Sequence, residues 1–353
     1  MTKVINIDGL KRAAEKYNKD FQVLPYAVLM DEMARLRIRM VQVNFKDTLI
    51  EKLRNGGITK PYEFGADIRY SNISKLRERS LIVETSYAAI KDNIRNYRDK
   101  NVLFDPTANK VNNQSKKHPF EKTIIADQVT TVGEDILDAI FPAKRDVADL
   151  SPLGMFNGFD TLIDNAIVAG EVSIAEKNLI NSGAFPEPLS ESDFIAWDTL
   201  VAWLRQASIK FSMNQSIILR IPIAIYNHCS DALGNKLRYK NIEFADFLRH
   251  LQDKSNLPQL QIVKHWALGT GTRLSLMTDG NLDFGMNTFG DETFVQIRNP
   301  WEDPNLVQYW LQFDAGCRIN SVHPYKFIVN EGTPAANSLS GDYVDSAAGG
   351  IGV

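Results

Sequence analysis

Apolar residues in the first part of this chain recur every three or four positions. Leu10, Ala14 and Tyr17 form one run and Leu29, Met33, Leu36 and Met40 another, with Pro25 between them, which predicts two helices before the Gly56-Gly57 pair breaks the pattern. The clearest helical stripe comes later, at Ile125, Val129, Val132, Ile136 and Ile140. Pro119 stands before its first turn and Pro142 ends it, so an amphipathic helix of about 20 residues, roughly 30 Å long, is expected from Phe120 to Phe141. Between these regions, Ile58 to Thr85 carries many charges and few large apolar residues and reads as irregular strands. Ordering a segment costs about 1–2 kcal/mol per residue, so this one needs another surface to lie on. Asp105 to Pro119, polar and rich in Asn and Pro, is a loop.

From Phe159 to Phe294 the pattern alternates between the two periods. A helix capped by Ser190 or Ser192 aligns Phe194, Trp197, Val201 and Leu204, and the strand Ser216 to Ile221 follows. Pro222 opens a helix that Gly234 is expected to end, and Ile242 to Gln252 stacks Phe244, Phe247, Leu248 and Leu251 on one face. Strands are expected at Gln261 to Trp266 and in Leu274 to Phe284, where Asp279-Gly280 is a hairpin signal. The last structured stretch, Leu306 to Val329, is β-branched and aromatic and leads into a Gly/Ala/Ser tail. A sheet-forming segment so late must pair with strands laid down much earlier. The fold class is α+β, with an α/β lobe inserted between the long helix and the closing strands, and no internal repeat.

Length and composition, 353 residues with 44% apolar, fit two or three globular lobes. No apolar run is long enough for a membrane span and the polar start lacks a secretory core, so cytoplasmic synthesis without a membrane partner is expected. Two distant cysteines, Cys229 and Cys317, make neither a disulfide framework nor a zinc ribbon and read as small buried residues. The net charge of −3 hides an asymmetry: residues 1–120 hold 23 Lys/Arg against 14 Asp/Glu, and residues 121–353 hold 17 against 29, that is +9 and −12. Such halves can attract each other within one chain or between copies, or can simply be two solvated surfaces. The basic residues are scattered, and no nucleic-acid-binding signature is present.

Chemistry is thin. No P-loop, HExxH, GxSxG or strand-to-helix GxGxxG occurs, and Gly269 and Gly271 support no more than a turn. His228, Cys229 and Asp231 are the densest reactive cluster, but neighbours at i and i+1 point about 100° apart on a helix, which misplaces a nucleophile and base. His118, His250, His265 and His323 are isolated in sequence; Glu187, Glu191 and Asp193 suit a solvated helix start, and Trp197 and Trp203 suit packing. No catalytic, cofactor-binding or metal-ligating residue is assigned, and no enzyme is expected.

The order of elements resembles that of tailed-bacteriophage major capsid proteins with the HK97-like fold. The phrases that carry the likeness are the helix Glu121 to Asp146, MFNGFDTLI (Met155 to Ile163), the helix–strand–helix run from Asp193 to Gly234, and Arg298 to Gly332. The resemblance implies an N-terminal arm with helices (1–57), an extended β-hairpin or E-loop with its following loop (58–118), and a peripheral domain built on a long spine helix (119–157 with 295–332). An inserted axial α/β domain (158–294) and a C-terminal tail (333–353) complete it. It further implies a head protein without cofactors that self-assembles into hexamers and pentamers of an icosahedral virion shell around double-stranded DNA. Assembly in the host bacterial cytoplasm is implied too, with scaffolding, portal and head-decoration proteins as partners, non-specific contact with DNA at the inner face, and the charged extension overlapping a neighbour. Two rivals are an encapsulin-like compartment, told apart by a protein cargo, and a soluble α+β enzyme. The enzyme reading expects substitution of His228 or His265 to abolish a turnover; the shell reading expects deletion of Lys60 to Arg79 to block closed shells.

Overall fold

The computed structural model describes residues 29–52, 76–93, 120–183, 185–209, 211, 216–238, 242–268, 273–287, 296–298 and 306–331. The expected helix around Leu10 to Tyr17, the Gly56-Gly57 pair, the loop Asp105 to Pro119 and the tail lie outside them. Residues 29–35 form helix α1, with Leu29, Met33 and Leu36 buried. The stripe does not continue to Met40. Arg37 takes a left-handed conformation (φ 54°) and Met40 lies in strand β1, Arg39–Gln42. Helical spacing ran on across the turn only because a short strand supplied the next apolar residue.

The long helix forms as its stripe predicts: α2 spans Phe120–Ala139. Its Val132, Ile136 and Leu137, with Ile140 and Phe141 beyond its end, are buried in a first core. The same core contains alternate residues of the 14-residue strand β10, Leu306–Ile319: Tyr309, Leu311, Phe313, Ala315, Cys317 and Ile319. A period of two along β10 thus meets a period of 3.6 along α2, across the intervening residues 140–305. Helix α3, Phe159–Val168, places Phe159, Ile163 and Ala166 in this core as well, so MFNGFDTLI packs with the long helix.

The strand β10 is the axis of a five-stranded sheet. It pairs antiparallel with β4 (Glu84–Asn93), β8 (Leu282–Met286) and β9 (Gln296–Arg298), and β1 adds parallel to β8. A second sheet has the order β11 (Phe327–Asn330), β7 (Leu274–Thr278), β5 (Ile217–Ile221) and β6 (Leu260–Lys264). It is buried on both faces. Ile218, Met277 and Phe327 point into the first core, whereas Ile217, Leu219, Leu276 and Ile328 meet a second core built with helices α4 (Ile195–Ser208), α5 (Ile223–Leu237) and α6 (Phe244–Ser255).

Three local expectations are corrected. Strands β7 and β8 flank the Asp279-Gly280 turn, where Gly280 has φ 73°, yet they do not pair with each other; each joins a different sheet. The turn chemistry is right, but Asn281 exchanges two 2.9 Å hydrogen bonds with the Ser321 backbone and directs the chain into the first sheet. Helix α4 is not capped by Ser190 or Ser192: Asp193 Oδ1 accepts the Ile195 N–H at 3.1 Å. Helix α5 runs through the buried Gly234 and ends where Arg238 turns left-handed (φ 59°).

The charged extension begins earlier than its composition indicates. Strands β2 (Lys46–Lys52) and β3 (Leu76–Ile82) pair antiparallel, so the hairpin starts within the stretch read as the arm. Strand β4 then departs from the hairpin, because Ala88 and Ile90 pack on the first core. Where the hairpin crosses the sheet, glycines make room. A Cβ on Gly285 would sit 2.8 Å from Leu81 Cδ2, and one on Gly316 only 2.1 Å from the Ile82 carbonyl oxygen. Gly316→Ala is therefore expected to lose about 1–3 kcal/mol in denaturant unfolding, since backbone must move. Gly183→Ala, where the added methyl meets open space, should stay within about 0.5 kcal/mol.

Candidate functional site

In an antiparallel pair, residues opposite each other share a face. One face of the hairpin therefore carries Asp47 with Leu81, Leu49 with Arg79, and Glu51 with Arg77; the other carries Lys46 with Ile82, Thr48 with Ser80, Ile50 with Glu78, and Lys52 with Leu76. The two faces have opposite fates.

The inner face is held by buried charge. Asp283, fully buried on β8, lies opposite Arg39 of β1 and Arg318 of β10. Its Oδ1 accepts Arg39 Nε at 2.8 Å, and its Oδ2 accepts Arg39 Nη2 at 2.9 Å and Arg318 Nη2 at 2.7 Å. That pairing raises the Arg39 pKa, through the hydrogen bonds first and the charge of Asp283 second. Arg318, with 4% of its side chain exposed, reaches on through Nη1 to Asp47 Oδ2 of the hairpin at 2.7 Å. Further along, buried Glu51 accepts the Ser321 hydroxyl and pairs with Arg79 Nε at 3.3 Å, while Arg79 Nη1 meets Glu171 Oε2 at 2.7 Å, after α3. Leu81, Val43 and Val83 form a small satellite core beneath. The hairpin is thus fixed to the sheet, to the loop before β11 and to the end of α3.

On the outer face, Ile50 is 67%, Leu76 63% and Ile82 50% exposed, and adjoining Phe45 79%. The only charged contact there among the described residues is the exposed Lys46–Glu78 pair at 3.2 Å, which solvent screens. These apolar side chains are exposed on a hairpin whose other face is held to the sheet.

Among the described residues, the reactive side chains of the sequence do not converge. His228 Nδ1 donates to the Phe185 carbonyl at 2.9 Å, Cys229 is buried in the second core, and Asp231 is exposed. His265 Nε2 donates to Glu32 at 2.8 Å, and Nδ1 of His323 accepts the Tyr325 N–H at 3.3 Å. His250 is half-buried on α6, and Glu187 and Glu191 are exposed. His118, Gly269 and Gly271 lie outside the described residues. Burial pushes both thiols, Cys229 and Cys317, up in pKa. Trp197 and Trp203 are core: Trp197 meets Phe247 edge-on at 5.3 Å, and Trp203 Nε1 donates to the Ile180 carbonyl at 2.7 Å. Among the described residues no group of three or more His, Cys, Asp or Glu is placed to hold a metal ion, and no helix is long and apolar enough to cross a membrane. The Asp283 network went unseen in the sequence. Its signal is a lone Asp in LDFGM and a lone Arg in GCRI, charges inside otherwise apolar strands.

No family model matches the sequence, and no curated protein matches it. Solved structures do. The course of the chain is similar to a chain of the Cyanophage A-1(L) capsid asymmetric unit, with 15% identity and a TM-score of 0.49 over 85% of this chain and 92% of that one. It is similar to a chain of the satellite phage P4 procapsid, with 12% identity and a TM-score of 0.49 over 88% and 100%. A virus-like particle from Pyrococcus furiosus is similar at 9% identity and a TM-score of 0.44 over 89% and 99%. At TM-scores below 0.5 such likenesses carry no argument on their own.

Proposed function

We propose that this chain is the major capsid protein of a tailed bacteriophage head. The hairpin carries the reading: its inner face is tied down by ion pairs, and Ile50, Leu76 and Ile82 on its outer face, with adjoining Phe45, stand exposed. A second copy is the natural cover, because a repeated subunit offers the same complementary surfaces at every position, and heterologous contacts close into rings where the rotation permits. In this reading α2 is the spine helix of a peripheral domain completed by β10, the second sheet with α4 to α6 is the axial domain, and β2 and β3 are the base of the E-loop. The basic and acidic parts of the chain add complementary charge between neighbours. Hexamers and pentamers would then build an icosahedral shell around double-stranded DNA, with scaffolding, portal and decoration proteins as further partners, assembled in the host cytoplasm.

Electron microscopy of the protein expressed with its neighbouring genes tests this. Icosahedral particles that package DNA are the expected result. Particles filled with a protein cargo would favour an encapsulin-like compartment, and a small discrete oligomer under all conditions would sink the shell.

A further inference from the structure

The middle strand of the second sheet carries one charge. In β5 the residues Ile217, Leu219 and Ile221 face the second core, so Ile218 and Arg220 face the first. Arg220 is 2% exposed, and its Nη2 donates to the carbonyls of Leu36 and Arg37, both at 3.1 Å, where α1 ends. One nitrogen thereby caps the helix. The other two, Nε and Nη1, are buried without a hydrogen-bond partner among the described residues. Among the described residues no carboxylate forms an ion pair with this guanidinium; Asp279 acts on it only through its field, and burial lowers its pKa to about 10, which leaves it charged at neutral pH. An uncompensated buried cation is among the costliest arrangements a protein can keep.

Arg220 lines a cavity of about 40 Å³ at the edge of the first core, walled by Phe141, Phe159, Leu268 and Met277. A second guanidinium, Arg273, lines it too. Arg273 is already balanced by Asp160 at 3.4 Å, Glu331 at 3.4 Å and Asp164, but its Nε is also buried and unpartnered. The cavity therefore has unspent donors, low-dielectric walls and one positive charge without an opposite. It is large enough to admit a small ion, since about 10–15 Å³ of such space already holds one water molecule. The Asp160 carboxylate on the wall opposes a second negative charge and so disfavours phosphate or sulfate dianions.

We infer that this cavity is a binding site for a small monovalent inorganic anion of chloride size, held by Nε and Nη1 of Arg220. The bound anion neutralises the guanidinium that joins α1, β5 and the first core, and so locks that joint. The site is independent of the shell reading.

Thermal unfolding of the full chain, at constant ionic strength with chloride or bromide replacing an anion too large for the cavity, reads the effect. The midpoint is expected to stay level at low halide and, above the dissociation constant, to rise by about 2 °C per tenfold increase, and sulfate is expected not to reproduce it. Arg220→Met, which keeps the length and removes the charge, is expected to abolish the dependence. Should that variant fail to fold, anomalous scattering from bromide-soaked crystals of the unaltered chain decides, with a peak within about 3.5 Å of Arg220 Nε or Nη1 expected. No bromide peak there, or the same rise with every anion, overturns the site.

Discussion

A chain carrying Ile50→Lys, Leu76→Glu and Ile82→Glu together is expected to fold as the parent does and to form no closed shells. The substitutions are placed for the hairpin's own benefit. Ile50 stands opposite Glu78 and Ile82 opposite Lys46, so these two new charges gain a cross-strand partner of opposite sign. All three side chains are at least half exposed, and such surface changes alter stability by no more than about 0.5 kcal/mol each. In an assembled shell the same positions would be buried against a neighbour, where each desolvated charge costs several kcal/mol. Circular dichroism and the unfolding midpoint measure the first expectation, sedimentation and electron microscopy the second. Normal yields of closed particles would remove the hairpin from the assembly surface. Deleting Lys60 to Arg79 is a blunter test, because it also takes away Arg77 and Arg79, which anchor the inner face through Glu51 and Glu171.

Asp283→Ala is expected to be the most damaging single substitution within the subunit, at about 3–5 kcal/mol. It removes the carboxylate that accepts three guanidinium hydrogen bonds. Arg39, 59% exposed, can turn to water, but Arg318, 4% exposed, is left with only the partly exposed Asp47. The cost therefore comes from Arg318 and not from the lost pair as such. That gives a sharper expectation: Asp283→Ala with Arg318→Met should recover much of the loss, so that the two changes cost less together than the sum of each alone. Denaturant unfolding of the three variants reads the cycle. Additive losses, or less than about 1 kcal/mol for Asp283→Ala, would mean that the network does not hold hairpin to sheet.

Some of this is legible in the sequence alone. The stripe from Val132 to Ile140 and the helix stop at Pro142 place α2 to within a few residues, because an amphipathic helix is a local pattern whose period is set by backbone geometry. Strands β5, β6 and β7 and helices α4 to α6 follow from the same reasoning, with errors only at caps. The Asp279-Gly280 turn was correct as chemistry and wrong as topology. A turn dictates how the chain reverses; which strands pair is decided by where Asn281 and Ser321 meet, 40 residues apart in sequence. The candidate site was nearly illegible. Composition marked the region as unable to fold by itself, but strand β2 has no pattern that separates it from an arm until β3 lies beside it.

By itself, then, the sequence determined the periodic elements, the burial of Cys229, Cys317, Trp197 and Trp203, and the need for Leu306 to Val329 to find early partners. Only the tertiary structure decided that this segment divides between two sheets, β10 in one and β11 in the other, and that Asp283 lies between Arg39 and Arg318. The physical reason is range. Helical periodicity and turn preference act over a few residues, whereas charge pairing in a core and the choice of strand neighbours depend on groups that sequence separates by hundreds of positions and folding brings within 3 Å.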